Sequence, residues 1–371
     1  MDRCKKIIQE LLSHADITVN GKKPWDIKVH DDRFYPLVLN SGSLGLGESY
    51  MDSWWDCKRL DEFFNRIVRA NLESKIKKDL KTLTKLAAVR IFNFQSKNRA
   101  FQVGERHYDI GNDLFKKMLD KRMVYSCAYW KNAGNLDEAQ KAKLDLVCRK
   151  AGLKPGMHVL EIGCGFGSLA KYAAEKYKVK VTGLTVSKEQ AKLAKRLCKG
   201  LPIEIRLQDY RDAKGKFDAV ISVAMLEAVG YKNLKTFMEV VHRCLKDDGI
   251  FVLHTIGNNL SKKNIDPWID KYIFPNNVLP SLKQIGASAE KLFVTEDIHN
   301  FGPYYDRTLM EWYKNFQKAW PVLKDKYDNR FKRMWDYYLL LCAGGFRSRY
   351  LQLWQIVFTK TGRKQPNCRI S

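Results

Sequence analysis

An α/β fold is predicted for most of this chain, and three observations predict it. From Met157 onward, short apolar strands alternate with helical stretches, the pattern of a parallel sheet with covering helices. The first of these strands, Val159-Leu160-Glu161-Ile162, runs into Gly163, Gly165 and Gly167 at every second position and then into a helix. Near the end, Leu351-Gln352-Leu353-Trp354-Gln355-Ile356-Val357-Phe358 alternates as expected of an antiparallel strand at the edge of an otherwise parallel sheet.

Residues 1 to about 90 read as a separate block of helices and short extended pieces, with Ile7, Leu11 and Leu12, then Leu60, Phe63, Phe64 and Ile67 at helical spacing. Within it, Ser41 to Tyr50 is glycine-rich and predicts a turn region. It is not a phosphate loop, because no Gly-Lys-Ser/Thr follows. A linker is expected between Ala87 and Arg106, near the polar run Gln95 to Arg99. The chain then divides into an N-terminal, mainly helical domain at 1–95 and a catalytic domain at 96–371. Strands are expected at 157–162, 179–185, 203–208, 217–223 and 249–255, and later at 292–295 and 351–358. Two helices with apolar stripes lie between the late strands, one through Leu309, Trp312, Phe316 and Ala319, the other through Phe331, Met334, Trp335, Tyr338, Leu341 and Cys342. The aromatic density from Trp268 through Tyr272, Phe274, Phe301, Tyr304 and Tyr305 suggests an apolar substrate lid at about 260–345.

Composition narrows the class. Of 371 residues, 45% are hydrophobic and 12% aromatic, enough apolar material to offset the ordering entropy of a full core. No apolar run approaches the ~20 residues of a membrane span, and Met1-Asp2-Arg3-Cys4-Lys5-Lys6 opens no cleavable signal pattern, so a cytoplasmic protein is expected. Nine scattered cysteines include no C-x-x-C pair, and neither a disulfide framework nor a zinc or other metal site is expected. The net charge of +25 favours a polyanionic partner, either nucleic acid or an anionic lipid surface. No RNA-binding signature accompanies it, and charge alone does not choose between the two.

The glycine loop points to an S-adenosylmethionine site. A side chain at Gly163, Gly165 or Gly167 would block a ligand from the turn, and glycine tolerates the positive φ such a turn needs. Glu161, at the strand's end, is placed to accept from the amine of the ligand's methionyl end. The competing dinucleotide fingerprint wants G-x-G-x-x-G, and here the third glycine comes one residue early. Thr185 ends the second strand where an acidic ribose ligand is often found, so a ribose contact falls to its hydroxyl or to Gln190. Gln208 and Asp209 end the third strand, beside an adenine site; polar loop residues without function are the alternative. His254 closes the strand from Gly249, and Glu227 follows the strand ending at Val223. Both would face the crevice at the carboxyl ends of the strands, a carboxylate and an imidazole able to handle protons. A backbone-bonded histidine and a helix-starting glutamate are the plain alternative. Cys127, in Tyr125-Ser126-Cys127-Ala128-Tyr129-Trp130, has no partner base adjacent in sequence and reads as a buried thiol.

Taken together, these segments resemble the cyclopropane-fatty-acyl-phospholipid synthases, with the mycolic acid methyltransferases as more distant kin. The resemblance is carried by Gly45 to Asp52, His107 to Asp113, Tyr125 to Trp130, Glu161 to Gly167, His254-Thr255-Ile256-Gly257 and Asp266 to Ile269, and it runs from near residue 6 to about 358. It implies a class I methyltransferase, with a Rossmann-like, mostly parallel sheet, an antiparallel edge strand and a smaller N-terminal domain. It also implies methylene transfer to the cis double bond of unsaturated phospholipid acyl chains, with S-adenosylhomocysteine released. Donor contacts would fall on Tyr125 and Ser126; on Leu160, Glu161, Ile162, Gly163, Cys164, Gly165, Phe166, Gly167 and Ser168; on Thr185 and Gln190; and on Gln208 and Asp209. Family members hold a bicarbonate ion as the base, at positions matching Cys127, Glu227, His254, Ile256 and Tyr305. The implied partner is phospholipid on the inner face of the cell membrane, bound peripherally with anionic lipid favoured; a homodimer is expected and no nucleic acid. Two departures stand out: Phe166 where the family commonly has tryptophan, and Ala228 where it has histidine. The second leaves the proton network one imidazole short. Ring-forming and methyl-branching relatives share the same loop, so the motifs alone do not choose the product.

Overall fold

The computed structural model describes residues 2–71 and 111–370. The expected linker, the 95/96 boundary and His107 to Ile110 lie outside the described residues. The chain divides into two compact units: one gathers residues 2–71 with Ile265–Pro275 and Tyr305–Leu351, and the other takes 111–264, 276–304 and 352–370. The stretch at 260–345, expected as one lid, is therefore shared between both units and is not a single element.

The second unit is built on a seven-stranded sheet of order β5-β4-β3-β6-β7-β9-β8. Its strands are β3 (His158–Ile162), β4 (Lys180–Thr185), β5 (Ile203–Leu207), β6 (Phe217–Val223), β7 (Leu245–Asn258), β8 (Val294–Asn300) and β9 (Leu351–Thr359). The pairings β3–β4, β4–β5, β3–β6 and β6–β7 are parallel, and β8–β9 is antiparallel. Successive side chains of a strand face opposite sides, so the sheet fills two cores. Leu160, Ile162, Val220, Phe251 and Leu253 pack with Phe237, Met238 and Val241 of the helix Leu234–Cys244 on one face. Val159, Val181, Ile221, Ile250 and Val252 pack with Leu144 and Val147 of the helix Leu136–Lys150, and with Ala170 and Ala173 of the helix Ser168–Tyr177, on the other. Each fully buried aliphatic contributes about 1.5–3 kcal/mol.

The 351–358 strand lies one place in from the edge, which β8 occupies. All of Gln352 to Thr359 is buried, whereas β8 exposes Val294 and Ile298. The alternation that suggested a half-exposed strand comes from two glutamines that are buried but bonded: Gln352 accepts from the Asn300 amide at 3.1 Å, and Gln355 meets His254 at 3.2 Å.

In the first unit, two short antiparallel strands, β1 (Ile27–Val29) and β2 (Trp55–Cys57), accompany helices Asp2–Ser13, Phe34–Ser41, Ser43–Met51, Leu60–Arg69 and Asn329–Arg347. The expected turn region from Ser41 to Tyr50 is helical except at Gly42, whose φ of +56° makes the one turn. The other glycines are there for close approach. A Cβ on Gly45 would lie 2.6 Å from the Leu37 carbonyl, and one on Gly47 would lie 2.2 Å from the Trp268 indole. The helices Leu60–Arg69 and Asn329–Arg347 touch through Gly344, where a Cβ would sit 2.6 Å from Phe64 Cβ and 2.7 Å from the Asp61 carbonyl. One turn on, Arg347 donates to Asp61 at 2.6 Å and to Asp306 at 2.9 Å. Burial pushes the Asp61 carboxyl up, but hydrogen bonds from Arg59 and Arg347 outweigh it and hold the group at about 2. No helix among the described residues is long and apolar enough to cross a membrane.

Two alanine substitutions should therefore move stability in opposite directions. Gly344→Ala forces the packed helices apart and should destabilise by about 1–3 kcal/mol. Gly286→Ala, within the helix Leu282–Ala289 and with nothing within 4 Å, should stabilise by about 0.5–1 kcal/mol. Thermal unfolding followed by circular dichroism checks both; equal midpoints for the two variants would contradict the packing described.

Candidate functional site

After β3 the chain turns through Gly163 (φ +83°), Gly165 (φ +53°) and Gly167 (φ +80°) into the helix Ser168–Tyr177. The three glycines do different work. A Cβ on Gly163 would lie 2.7 Å from the Met225 side chain, and one on Gly167 would lie 3.0 Å from Cys198 Sγ and 3.2 Å from Ala194 Cβ. Both therefore make room for protein. Only at Gly165 would a Cβ meet nothing within 4 Å. Leu160, Ile162 and Cys164 bury their side chains in the cores, so these residues offer a ligand their main chain. Phe166 is buried 5.8 Å from the Phe115 ring, which meets Tyr125 edge-on at 5.1 Å. The Ser168 hydroxyl donates to the Arg122 carbonyl at 2.6 Å and ties the helix to the segment that leads into Ser126.

Glu161 is fully buried beside this turn, and its Oε2 has no partner among the described residues. Burial pushes its carboxyl up to about 8, against the pull of Lys143 and a hydrogen bond from the Ala170 amide. Lys143 is itself buried, and desolvation brings it down to about 8. Its Nζ donates to Ser126 Oγ at 2.9 Å. Gln140 Nε2 donates to the Ser126 carbonyl at 2.8 Å, and Asp120 accepts from the Val124 amide at 2.8 Å. The segment 120–127 thus hangs from three side chains, none of which the sequence reading selected. The signal was there: Leu136, Gln140, Lys143 and Val147 share a face of one helix, and two polar residues on a buried stripe need a reason.

At the carboxyl end of β4, Thr185 Oγ1 donates to Gln190 Oε1 at 3.0 Å and accepts from the Ser187 amide at 3.2 Å. Ser187 caps the helix Lys188–Leu197 by accepting from the Gln190 amide. Beyond β5, the Gln208 amide donates to the Thr185 carbonyl at 2.9 Å. The buried Asp209 carboxylate takes a fork from Arg211 Nε and Nη2, each at 2.8 Å. All of these lie on the rim of the sheet where α/β folds bind ligands.

His254 does not close its strand, as the sequence suggested: β7 continues to Asn258, and His254 pairs with Val223, the last residue of β6. The misreading has a simple cause, since the polar pair His254-Thr255 looks like a strand end while both lie in the sheet. The His254 ring is fully buried, and desolvation holds it well below its ordinary value, so it is neutral. The Gln355 amide donates to Nδ1 at 3.2 Å, which puts the ring proton on Nε2; that atom has no partner among the described residues. Glu227, in the short turn Leu226–Ala228, accepts from the Ile256 amide through Oε1 at 2.6 Å. Its Oε2 is buried with no partner among the described residues. Burial raises its carboxyl to about 7, while hydrogen bonds from its own amide, the Ile256 amide and Thr255 pull the other way. Cys127 is buried, its thiol donating to the Ala128 carbonyl at 3.3 Å. Lys143 lies within electrostatic reach of both Cys127 and His254. Phe301 stands 5.8 Å from the His254 ring, and Tyr129 packs on Phe301 and Tyr304 at 5.4 and 5.5 Å. Tyr305 belongs to the first unit, where its ring lies 4.6 Å from Phe346 and 5.9 Å from Trp312.

Residues 95–356 match the family described as mycolic acid cyclopropane synthetase. The sequence is 56% identical to the cyclopropane-fatty-acyl-phospholipid synthase of Escherichia coli strain K12 over 359 residues, 97% of this chain and 94% of that one. It is 32% identical to the tuberculostearic acid methyltransferase UfaA1 of Mycobacterium tuberculosis over 344 residues, 86% of this chain and 80% of that one. Among solved structures, the mycolic acid cyclopropane synthase CmaA1 complexed with SAH and CTAB matches with a TM-score of 0.65 and 32% identity, covering 70% of this chain and 98% of that one. The cyclopropane synthase MmaA2 from Mycobacterium tuberculosis matches with a TM-score of 0.66 and 29% identity over the same shares, 70% and 98%.

The displaced carboxyl at Glu161 makes a pH prediction. Its folded value of about 8 lies above the unfolded one, so between about pH 4.5 and about pH 8 the folded state holds a proton the unfolded state has lost, and stability falls as pH rises. Glu161→Gln removes this slope. Thermal midpoints of the ligand-free protein from pH 5 to 8 should decline less steeply in the variant, and parallel curves would contradict the assignment.

Proposed function

The chain belongs to the mycolic acid cyclopropane synthetase family and is an S-adenosylmethionine-dependent methyltransferase that cyclopropanates lipids; from this premise we propose that its substrate is the cis double bond of unsaturated acyl chains in membrane phospholipids, and that bicarbonate accepts the proton released. The observation that carries the second part is the pair of buried atoms without partners, Glu227 Oε2 and His254 Nε2. One accepts and the other, as the Gln355 contact leaves it, donates. A small ion with one hydroxyl and a negative oxygen suits that pair.

The donor fits the other end of the rim. Gly165 leaves open space over the turn, and the unpartnered Glu161 Oε2 suits the ammonium of a methionyl group, whose charge would draw that carboxyl back to its ionised form. Leu160 to Ser168 would hold the methionyl portion, Thr185 and Gln190 the ribose, Gln208 and Asp209 the adenine side, and Tyr125 and Ser126 the reacting end.

S-adenosylmethionine supplies a methyl on a sulfonium, and bicarbonate supplies a base for the proton lost as the ring closes. An isolated alkene is a weak nucleophile, so the protein's contribution is proximity in a site kept from water. Tyr129, Phe301 and Tyr304 pack edge to face next to His254 and exclude water there. Without that exclusion the electron-poor carbon formed by methyl transfer would be trapped as an alcohol. Glu227 orients the base through Oε2 and remains anchored to β7 through Oε1. His254 donates from Nε2, and its low basicity keeps it from competing for the proton. Cys127 and Ile256 contribute main-chain groups, and the family resemblance adds Tyr305 to this set. Family membership favours lipid over RNA as the partner of the +25 charge, which supports a peripheral position on the inner face of the cell membrane. The resemblance supports a homodimer.

Two sets of variants test the reading. Gly165→Val, whose Cβ meets no protein atom within 4 Å, should fold with the strain of a branched residue in the left-handed region, about 1–2 kcal/mol, yet lose S-adenosylmethionine binding by calorimetry. Unchanged donor affinity would take the loop out of the site. Glu227→Gln should lose about 10²-fold or more in S-adenosylhomocysteine release on unsaturated phospholipid vesicles, while Cys127→Ser keeps measurable activity. Thorough degassing should slow the enzyme and added bicarbonate restore it. The opposite order of the two variants, or indifference to bicarbonate, would overturn the proton-acceptor assignment.

A further inference from the structure

Two large apolar side chains of the sheet unit are exposed on neighbouring segments: Leu260 is 65% exposed and Leu282 is 39% exposed. A single exposed leucine is ordinary, but the segments that carry these two are tied to each other. Ser261 and Ser281 share a hydrogen bond at 2.7 Å, the Asn258 amide donates to the Pro280 carbonyl at 3.0 Å, and Gln284 Nε2 donates to the Lys262 carbonyl at 3.3 Å. Residues 228–238 join them, since Lys263 Nζ lies 5.7 Å from the Tyr231 ring. Across 231–235, 259–264 and 280–284 there are five lysines, Lys232, Lys235, Lys262, Lys263 and Lys283, and no aspartate or glutamate; the exposed Glu239 and Glu290 lie outside these stretches. Basic charge with aliphatic side chains at its centre is the combination that holds a protein on an anionic lipid surface, where neither signal alone is sufficient. Nucleic acid would have little use for the leucines, which offer no ring face for a base.

The position of this rim matters as much as its chemistry. β7 carries His254 and Ile256 and ends at Asn258, two residues before Leu260. The Val278 amide donates to the Glu227 carbonyl at 2.8 Å, so the second segment is anchored on the turn that holds Glu227. We propose that the rim formed by residues 231–235, 259–264 and 280–284 docks the protein on an anionic phospholipid bilayer, with Leu260 and Leu282 entering the headgroup layer. This deepens the function proposed above and rests on its phospholipid substrate: the docked surface adjoins the elements that bear Glu227 and His254, which shortens the path of an acyl chain from the bilayer.

The test uses the full chain and two double variants, Leu260→Ser with Leu282→Ser and Lys263→Gln with Lys283→Gln. Sedimentation with phosphatidylglycerol-containing vesicles and with pure phosphatidylcholine vesicles reads binding; S-adenosylhomocysteine release on phospholipid dispersed in detergent reads chemistry. Each double variant should bind the anionic vesicles about tenfold or more weakly, the lysine variant with a shallower salt dependence. Thermal midpoints should match the parent, and turnover in detergent should stay within about twofold, because the four side chains are on the surface. Parental binding in both variants, a parent that ignores anionic vesicles, or a loss confined to binding of an RNA oligonucleotide would overturn the docking surface. Vesicle binding that behaves as expected without any methylene transfer would sink the proposed function and leave the surface standing; normal turnover on vesicles with unaltered binding would do the reverse.

Discussion

Strand β7 outruns its neighbour β6, which ends at Val223, and the Ile256 amide beyond that point takes the Glu227 carboxylate as its partner. A buried amide must be satisfied, so the side chain stands in for a strand that has stopped. Much follows from this substitution. It fixes the turn Leu226–Ala228 against the sheet, commits Oε1 to structure and leaves Oε2 alone in a dry place. The Glu227 carbonyl is used as well, by Val278, so the residue is held at two points while keeping one oxygen in reserve.

Around that rim, burial moves four titratable groups toward their neutral forms: Glu161 up to about 8, Glu227 up to about 7, Lys143 down to about 8, and His254 well below its ordinary value. The common cause is low local polarizability, which also strengthens any hydrogen bond made there. An unsatisfied buried oxygen costs about 1–3 kcal/mol. Such groups persist where a ligand completes them, and the folded protein is correspondingly less stable without it.

Much of the sheet was legible in the sequence, because strands buried on both faces read as apolar runs between turn signals, and the seven expected strands all appear. What misled was polarity inside the core. Gln352 and Gln355 gave β9 a false alternation, His254 looked like a strand end, and Gln140 and Lys143 were not selected although each is bonded in the interior. Glycine misled in the other direction: Gly45 and Gly47 read as turn formers but sit in a helix, made necessary by Leu37 and Trp268, and Trp268 lies more than 200 residues along the chain from them. Local composition carries no record of a neighbour so distant. The glycine turn after β3 was legible because its constraint is local, the backbone conformation itself.

That same distance governs how the protein comes off the ribosome. The core around Trp55, Phe63 and Phe64 is completed by Tyr337, and Asp61 is neutralised in part by Arg347, 286 residues later. Meanwhile the whole sheet up to β8 has already been made. The N-terminal helices therefore emerge first and close last, with aromatic surface uncovered through most of synthesis, while the unit that begins later can finish its central strands sooner. For a nascent chain this is an invitation to chaperone contact at the earlier-made helices, and it makes the helix Asn329–Arg347 their latch.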